Sequence, residues 1–460
     1  MLKFAACLTF FQAQTNIGGR KEVLYMKYAS SIDYINSFAW LGSRLGLSRI
    51  KELLARMGRP DKGLSFVHLA GTNGKGSTAC FLASILQAAG CKTGLYTSPY
   101  IHSFHERMQI NGVSITDLAL DEVVDEMRLQ AEAMDDHPTT FELATAAAIS
   151  WFSRENCDIV VLETGMGGSL DATNAIEAPL VSVITPIDLD HMEYLGPTIG
   201  EIARNKAGII KKGRPVVTAW QKPEARAVLE EVAKEQGAVL REVNLDRIVR
   251  GAFDFTGQVF SFGDLNDLKI RLLGRYQVEN AALALEAINI LEEQGYAIPE
   301  SAKREGLANA HWPGRFELVA EQPAIIVDGG HNAQGAVAFG DNLARYFPGK
   351  KAVIMMGALA DKDLDALLAP VLPLAKCVYT ITPDNPRAME AEALAAAIMQ
   401  RGVSAVAAKD IPAALEMGKE AAGREGVVCY FGSLYSVGAV REALGFSASG
   451  FFETALKNNF

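Results

Sequence analysis

The chain has 460 residues with 44 basic and 54 acidic side chains, and its net charge of −10 gives no global attraction to nucleic acid or an anionic membrane; any anion must be held by a local site. Hydrophobic residues make up 49% and charged residues 21%, a globular balance that excludes a disordered chain and fills two or three cores without staples. No apolar run approaches the ~18 residues of a bilayer span, and the scattered cysteines (Cys7, Cys80, Cys91, Cys157, Cys377, Cys429) lack zinc spacing, which predicts reduced thiols in a cytoplasmic protein.

Residues 1–25 read as a loosely ordered extension: the short apolar start has no small-x-small cleavage site before Gln12 and Gln14, and Met26 is an alternative first residue. From Ser48, the apolar Ile50, Leu53, Leu54 and Met57 fall at helical spacing, with Gly58 as the stop. A strand is predicted over 66–69, then a glycine-rich turn, a helix over 79–89 with Gly90 as its C-cap, and a strand over 93–96. Apolar runs at 159–162 and 180–184 alternate with helical stretches at 141–154 and 199–207; strands apolar on both faces suit a buried parallel sheet. Residues 240–273 mix strand and hairpin signals. At His311-Trp312-Pro313-Gly314-Arg315 the pattern breaks, and a second series of strands follows at 324–327, 352–356, 377–381 and 427–431. The expected architecture is an α/β domain over 26–316, containing a P-loop and a mostly parallel sheet, and a smaller Rossmann-like α/β domain over 317–460.

The strongest local signal is Ala70-Gly71-Thr72-Asn73-Gly74-Lys75-Gly76-Ser77-Thr78, between a strand and a helix. Glycines let backbone N–H groups approach phosphate oxygens, the helix N-terminus adds its dipole, Lys75 reaches the terminal phosphates, and a hydroxyl can hold Mg²⁺. The strict G-x-x-x-x-G-K-[ST] pattern fails, because Leu69 stands where its first glycine belongs and Gly76 separates Lys75 from Ser77. Glu163 ends an apolar strand, and Asp190 with His191 follows another, where doubly wound sheets place ligands. Oxygen donors such as Ser98 and Glu163 suit Mg²⁺, whereas His191 is a softer partner that fits a satisfied strand-end imidazole equally well. Lys206 reads on composition as a helix-end cation, and Arg315 as a surface ion pair or a guanidinium brought onto phosphate.

The loop form G-T-N-G-K-G-S-T resembles that of folylpolyglutamate and dihydrofolate synthases, relatives of the Mur ligases. Thr97-Ser98-Pro99-Tyr100 with Glu106-Arg107 and Asn111-Gly112 is similar to a second family segment, with Tyr100 in place of the usual His. Further matches follow in order: Glu163-Thr164-Gly165-Met166-Gly167-Gly168, Leu170-Asp171-Ala172-Thr173-Asn174, Leu189-Asp190-His191, Asn205-Lys206-Ala207-Gly208-Ile209, Tyr276-Gln277 with Asn280-Ala281, Pro313-Gly314-Arg315-Phe316 and Asp328-Gly329-Gly330-His331-Asn332.

The resemblance implies a Mur-ligase-like central domain and a C-terminal glutamate-ligase domain. It implies an enzyme that consumes ATP and Mg²⁺, with two metal sites, to join L-glutamate to dihydropteroate and to folate γ-carboxylates through an acyl phosphate, releasing ADP and phosphate. By resemblance the nucleotide would be held by Asn73, Gly74, Lys75, Gly76, Asn280, Arg315 and Asp328. The metal would be held by Ser77, Ser98, Glu163, His191 and a carbamylated Lys206, and Lys75, Lys206, His191 and Arg315 would serve catalysis. Phe141, Glu142, Leu170, Asp171 and Ala172 would surround the pterin; an aromatic ring can stack on it and a carboxylate accept its N–H groups, although Phe141 fits a core ring as well. Partners are expected to be small molecules only, without nucleic acid or membrane, for a monomer. The rivals are a monofunctional folylpolyglutamate synthase, a peptidoglycan Mur ligase, which the Gly76 and 170–174 forms fit poorly, a P-loop ATPase of non-ligase function, and a non-catalytic binding module.

Overall fold

The computed structural model describes residues 28–446; the extension expected over 1–25 lies outside the described residues. The chain first lays down β1 (Phe66–Ala70), β2 (Thr93–Tyr96), β3 (Met108–Ile110), β4 (Val113–Ser114), β5 (Ile159–Glu163), β6 (Val181–Ile184), β7 (Val216–Thr218) and β8 (Leu240–Glu242). These join in the order β4-β3-β2-β5-β1-β6-β7-β8, parallel from β2 to β8, with β3 and β4 forming an antiparallel edge hairpin. Every residue of β1 and β5 is buried, as their unbroken apolar runs require. Side-chain alternation divides them between two cores: Val67, Leu69 and Val161 face the helices Lys75–Ala88 and Arg275–Glu293, while Phe66, Val160 and Leu162 face the helices Asp117–Ala131 and Thr140–Arg154. Because β5 and β6 flank β1, the loops that leave the C-terminal ends of all three open side by side.

The region of mixed signals is a meander of β9 (Ile248–Asp254), β10 (Gly257–Phe262) and β11 (Leu265–Ile270), antiparallel throughout. Alternate residues of β10, including Phe260 and Phe262, enter the first core.

A second sheet contains β12 (Glu317–Glu321), β13 (Ala324–Val327), β14 (Ala352–Met356), β15 (Ala375–Thr380), β16 (Ala405–Ala407) and β17 (Val427–Phe431), in the order β12-β13-β17-β14-β15-β16. Only β12 is antiparallel, and apolar clusters cover both faces. The strand expected at 377–381 begins at Ala375, where a register irregularity opposite Ala352 and Val353 takes up the extra residue.

Away from the cavity, two junctions bind the second sheet's layer to the first. At the β9–β10 hairpin, the Phe253 and Phe255 rings sit 5.2 and 5.3 Å from Tyr346, and Arg345 stacks 3.6 Å over Phe253. At the other, Arg441 Nε donates to His102 Nε2 at 3.1 Å. No helix among the described residues is long and apolar enough to cross a membrane.

Candidate active site

The loop after β1 is shaped by what lies beneath it. A Cβ at Gly71 would fall 1.8 Å from Thr185 Oγ1, and one at Gly74, where φ is +88°, would fall 2.5 Å from Asn280 Oδ1. Only glycine lets the loop close down there. Gly74 caps the helix Lys75–Ala88 without a side-chain hydrogen bond, so the first N–H groups of that helix remain available to an anion. Lys75 Nζ donates to the carbonyls of Gly71 and Thr72, both at 3.2 Å, and is held over the loop. Ser77 Oγ accepts from Gln277 Nε2 at 3.2 Å, and Gln277 Oε1 accepts from Asn280 Nδ2 at 3.0 Å, so the helix Arg275–Glu293 braces the hydroxyl from behind.

The neighbouring strand ends supply the carboxylates and the second lysine. Glu163, the last residue of β5, is buried and accepts from Ser98 N at 3.2 Å; burial raises its pKa, opposed by the Lys75 charge. His191 takes a left-handed conformation (φ +50°) that turns the chain into the short helix Met192–Leu195. Partial enclosure in the cleft lowers its imidazole pKa to about 4, opposed by the carboxylate of Asp190, although 41% of the side chain stays exposed. Burial works against the Asp190 charge, but His191 and Lys362 outweigh it and hold that carboxyl well below the usual range. Lys206, at the end of the helix Ile199–Ala207, is buried and donates to Gly71 O at 2.7 Å. Burial, reinforced by Lys75, pushes its ammonium down to about 7.

The second sheet closes the other wall. Asp328 follows β13 and accepts from Gly330 N at 2.6 Å and Phe316 N at 2.9 Å; burial pushes its carboxyl up to about 6, opposed by Arg315. One cavity of about 450 Å³ is lined by Asn73, Gly74, Lys75, Gly76, Ser77, Ser98, Glu163, His191, Lys206, Asn280, Arg315 and Asp328 together. The structure thus brings together every residue expected at the nucleotide and the metal. Asn73 reaches further, donating to Asn332 Oδ1 at 3.1 Å and Gln334 Oε1 at 2.6 Å across the cleft.

The residues expected at the pterin lie behind this cavity. The Phe141 ring packs under Gly165, which lines it: a Cβ there would lie 2.4 Å from the ring. Glu142 is buried: its Oε2 completes a capping box with Thr139 and pairs with Arg49 at 3.0 Å, while its Oε1 has no hydrogen-bond partner. Asp171 is occupied: Oδ1 accepts from Thr173 N and Oγ1, and Oδ2 from Met166 N at 2.8 Å, so it shapes the loop rather than offering free lone pairs. Leu170 is exposed and Ala172 buried beside it. Gln277 and Asn332 fell in matched segments and Lys362 in a loop similar to the family's, none of them with an assigned role, and Gln334 was not singled out by sequence reasoning. Their polar contacts join segments 100 or more residues apart, which no local spacing reveals; for Gln277, its place one turn before Asn280 on a helix was the available signal.

The site's chemistry fits a nucleoside triphosphate and a hard divalent cation: bare helix N–H groups and two cations for phosphate, and Ser77, Ser98 and Glu163 oxygens for the metal. Residues 69–288 match the Mur ligase middle domain, and residues 314–434 the Mur ligase glutamate ligase domain. The chain is 36% identical over 434 residues to the dihydrofolate synthase/folylpolyglutamate synthase of Bacillus subtilis, covering 92% of this chain and 100% of that one. Its fold is similar to Mycobacterium tuberculosis folylpolyglutamate synthase complexed with ADP, with a TM-score of 0.84 and 30% identity over 91% of this chain and 99% of that one. E. coli FolC in complex with DHPP and ADP gives a TM-score of 0.80 and 32% identity over 90% and 96%.

Proposed function

The chain belongs to the folylpolyglutamate synthase family of Mur ligases, and from that membership we propose that it joins L-glutamate to dihydropteroate and to the γ-carboxylate of folates, at the expense of ATP. The observation that carries the reading is the convergence of Lys75, Glu163, Lys206, Arg315 and Asp328, from both sheets, on one cavity. Lys75 and Arg315 stand where charge builds as a phosphoryl group moves to the acid substrate, and fixed cations in a site with little water stabilise that charge most. The resulting acyl phosphate is captured by the amine of glutamate, and the polar cleft between the sheets shields it from hydrolysis until then. A bound Mg²⁺, held by Ser77, Ser98, Glu163 and His191, would supply Lewis-acid polarisation of the phosphate oxygens.

Lys206 is proposed to carry a carbamate. Buried against Gly71 O, its amine is neutral in an appreciable fraction near pH 7 and nucleophilic toward carbon dioxide; the Nζ–C bond forms as Nζ loses a proton, and a cation becomes a carboxylate that would hold a second metal ion. The pterin is assigned to the Phe141, Glu142, Leu170, Asp171 and Ala172 side of Gly165, where Phe141 offers a ring face, the engaged Asp171 carboxylate fixes the wall and Glu142 Oε1 is an unpartnered acceptor. A monomer with only small-molecule partners is proposed.

The test is ADP release measured with dihydropteroate, tetrahydrofolate and L-glutamate each omitted in turn. Release that requires glutamate and either acid supports the bifunctional reading. Release with tetrahydrofolate alone reduces it to a monofunctional folylpolyglutamate synthase, and release indifferent to glutamate overturns it.

A further inference from the structure

Gly76 breaks the strict phosphate-loop pattern, and its backbone shows why. A Cβ at this position would lie 2.7 Å from Trp312 Cζ2 and 2.9 Å from Cε2 and Nε1, nearer than side-chain carbons approach one another. Gly76 lies in the first turn of the helix Lys75–Ala88 with no left-handed φ, so what requires glycine there is room for the indole. A helical glycine costs about 1 kcal/mol relative to alanine, so the contact must return something. Trp312 packs against the large first core and is anchored at that end.

Three residues later, Arg315 lines the cavity. The segment between is tied down at every peptide that has a partner: Gly314 N donates to Glu317 Oε2 at 2.8 Å, Gly314 O accepts from Gly329 N at 2.9 Å, and Phe316 N donates to Asp328 Oδ2 at 2.9 Å. Its beginning therefore sits on the phosphate loop and its end on the second sheet. We infer that Trp312 is a positioning residue, which registers the Arg315 guanidinium against the phosphate loop through its seat on Gly76. Lys75, at the loop after β1, and Arg315, next to the start of the second sheet, then address the same phosphate groups. This rests on the reading of the cavity as an ATP site.

A double-mutant cycle tests it, with ADP affinity read by calorimetry, kcat and KM for ATP read by turnover, and thermal unfolding followed in parallel. Gly76→Ala alone is expected to weaken ADP binding about tenfold or more, a coupling within the range found for residues in contact. In the Trp312→Leu background the same change is expected to cost less than about threefold, because the obstruction is gone. Trp312→Leu is expected to lower kcat/KM for ATP in the wild-type background and to add little once Arg315→Ala is present, a dependence that loss of packing alone would not produce. Trp312→Phe, whose smaller ring draws back from Gly76, serves in the same cycle if the leucine variant fails to fold. Losses that multiply in both cycles overturn the inference. Wild-type protein that does not bind ADP overturns the nucleotide reading instead, so the two failures are distinguishable.

Discussion

Two single side chains carry protonation states that function or stability depends on. For Lys206, replacement by alanine is expected to abolish glutamate-dependent ADP release, and millimolar acetate or formate to restore part of it by supplying the missing carboxylate. Carbon-13-labelled bicarbonate should also give a carbamate resonance in the wild-type protein and none in the variant; a variant that keeps its activity returns Lys206 to a helix-end cation. His68, buried in the middle of β1, donates from Nε2 to Thr173 Oγ1 at 2.8 Å, and that hydroxyl in turn donates to Asp171. Burial pushes the imidazole down to about 3 from 6.5. A folded-state pKa below the unfolded value means that the unfolded chain binds the extra proton. The stability His68 contributes is therefore complete above about pH 6.5 and is lost as pH falls, by at most about 1.4 kcal/mol per pH unit. His68→Gln keeps a donor to Thr173 without titrating. Urea midpoints measured from about pH 6.5 to about pH 4 should fall less steeply in that variant, and parallel slopes would place the acid sensitivity elsewhere.

At the scale of elements, the helix Thr140–Arg154 shows how a cap can serve the site. Thr139 Oγ1 receives Glu142 N and donates to Glu142 Oε2, which also accepts Thr139 N and pairs with Arg49; the first turn, and Phe141 within it, is fixed by this knot. Thr139→Ala should cost about 1 kcal/mol in denaturant unfolding, as lost caps do. It should also raise KM for the acid substrate while leaving KM for ATP unchanged, since Phe141 lies under Gly165 on the side assigned to the pterin. Equal effects on both KM values would detach this helix from the acid-binding side. Elements of this kind were legible where burial was one-sided or complete: β1, β5, β13, β14 and β17 announced themselves as apolar runs, and the helix Ile199–Ala207 as a helical stretch ending at Gly208. The helix after the phosphate loop was expected only from residue 79, because Lys75-Gly76-Ser77-Thr78 has no apolar stripe and is held by the backbone and by Gln277. Strands β3 and β4 were missed because two or three residues at a sheet edge are too few to show a period. In the site, motif residues were readable by their chemistry, but Trp312 and Lys362 act only through partners from distant segments.

Across the whole molecule, the two sheets are joined by contacts of opposite character. The junction at the β9–β10 hairpin is aromatic, with Phe253 and Phe255 against Tyr346 and Phe347, and apolar contacts of this kind have no reason to exchange with water. Around the cavity the contacts are polar: Asn73 with Asn332 and Gln334, and Lys362 Nζ with Asp190 Oδ1 at 2.9 Å. Such contacts exchange for water at little net loss, so a cleft that must admit substrates and then exclude water would open at the polar side and pivot on the aromatic one. The Lys362–Asp190 pair is well shielded, and removing one partner of a shielded pair leaves an uncompensated charge worth about 3–5 kcal/mol. A rigid molecule would meet that cost by unfolding more easily; a hinged one relieves it by opening and hydrating Asp190. For Lys362→Met the expected result is therefore a larger radius of gyration in solution scattering, with a melting temperature close to wild type and a reduced kcat/KM, and Lys362→Arg should retain the wild-type scattering. Unchanged scattering together with a large loss of melting temperature would mean that the pair belongs to a static interface, and that entry to the cavity does not depend on separation of its two walls.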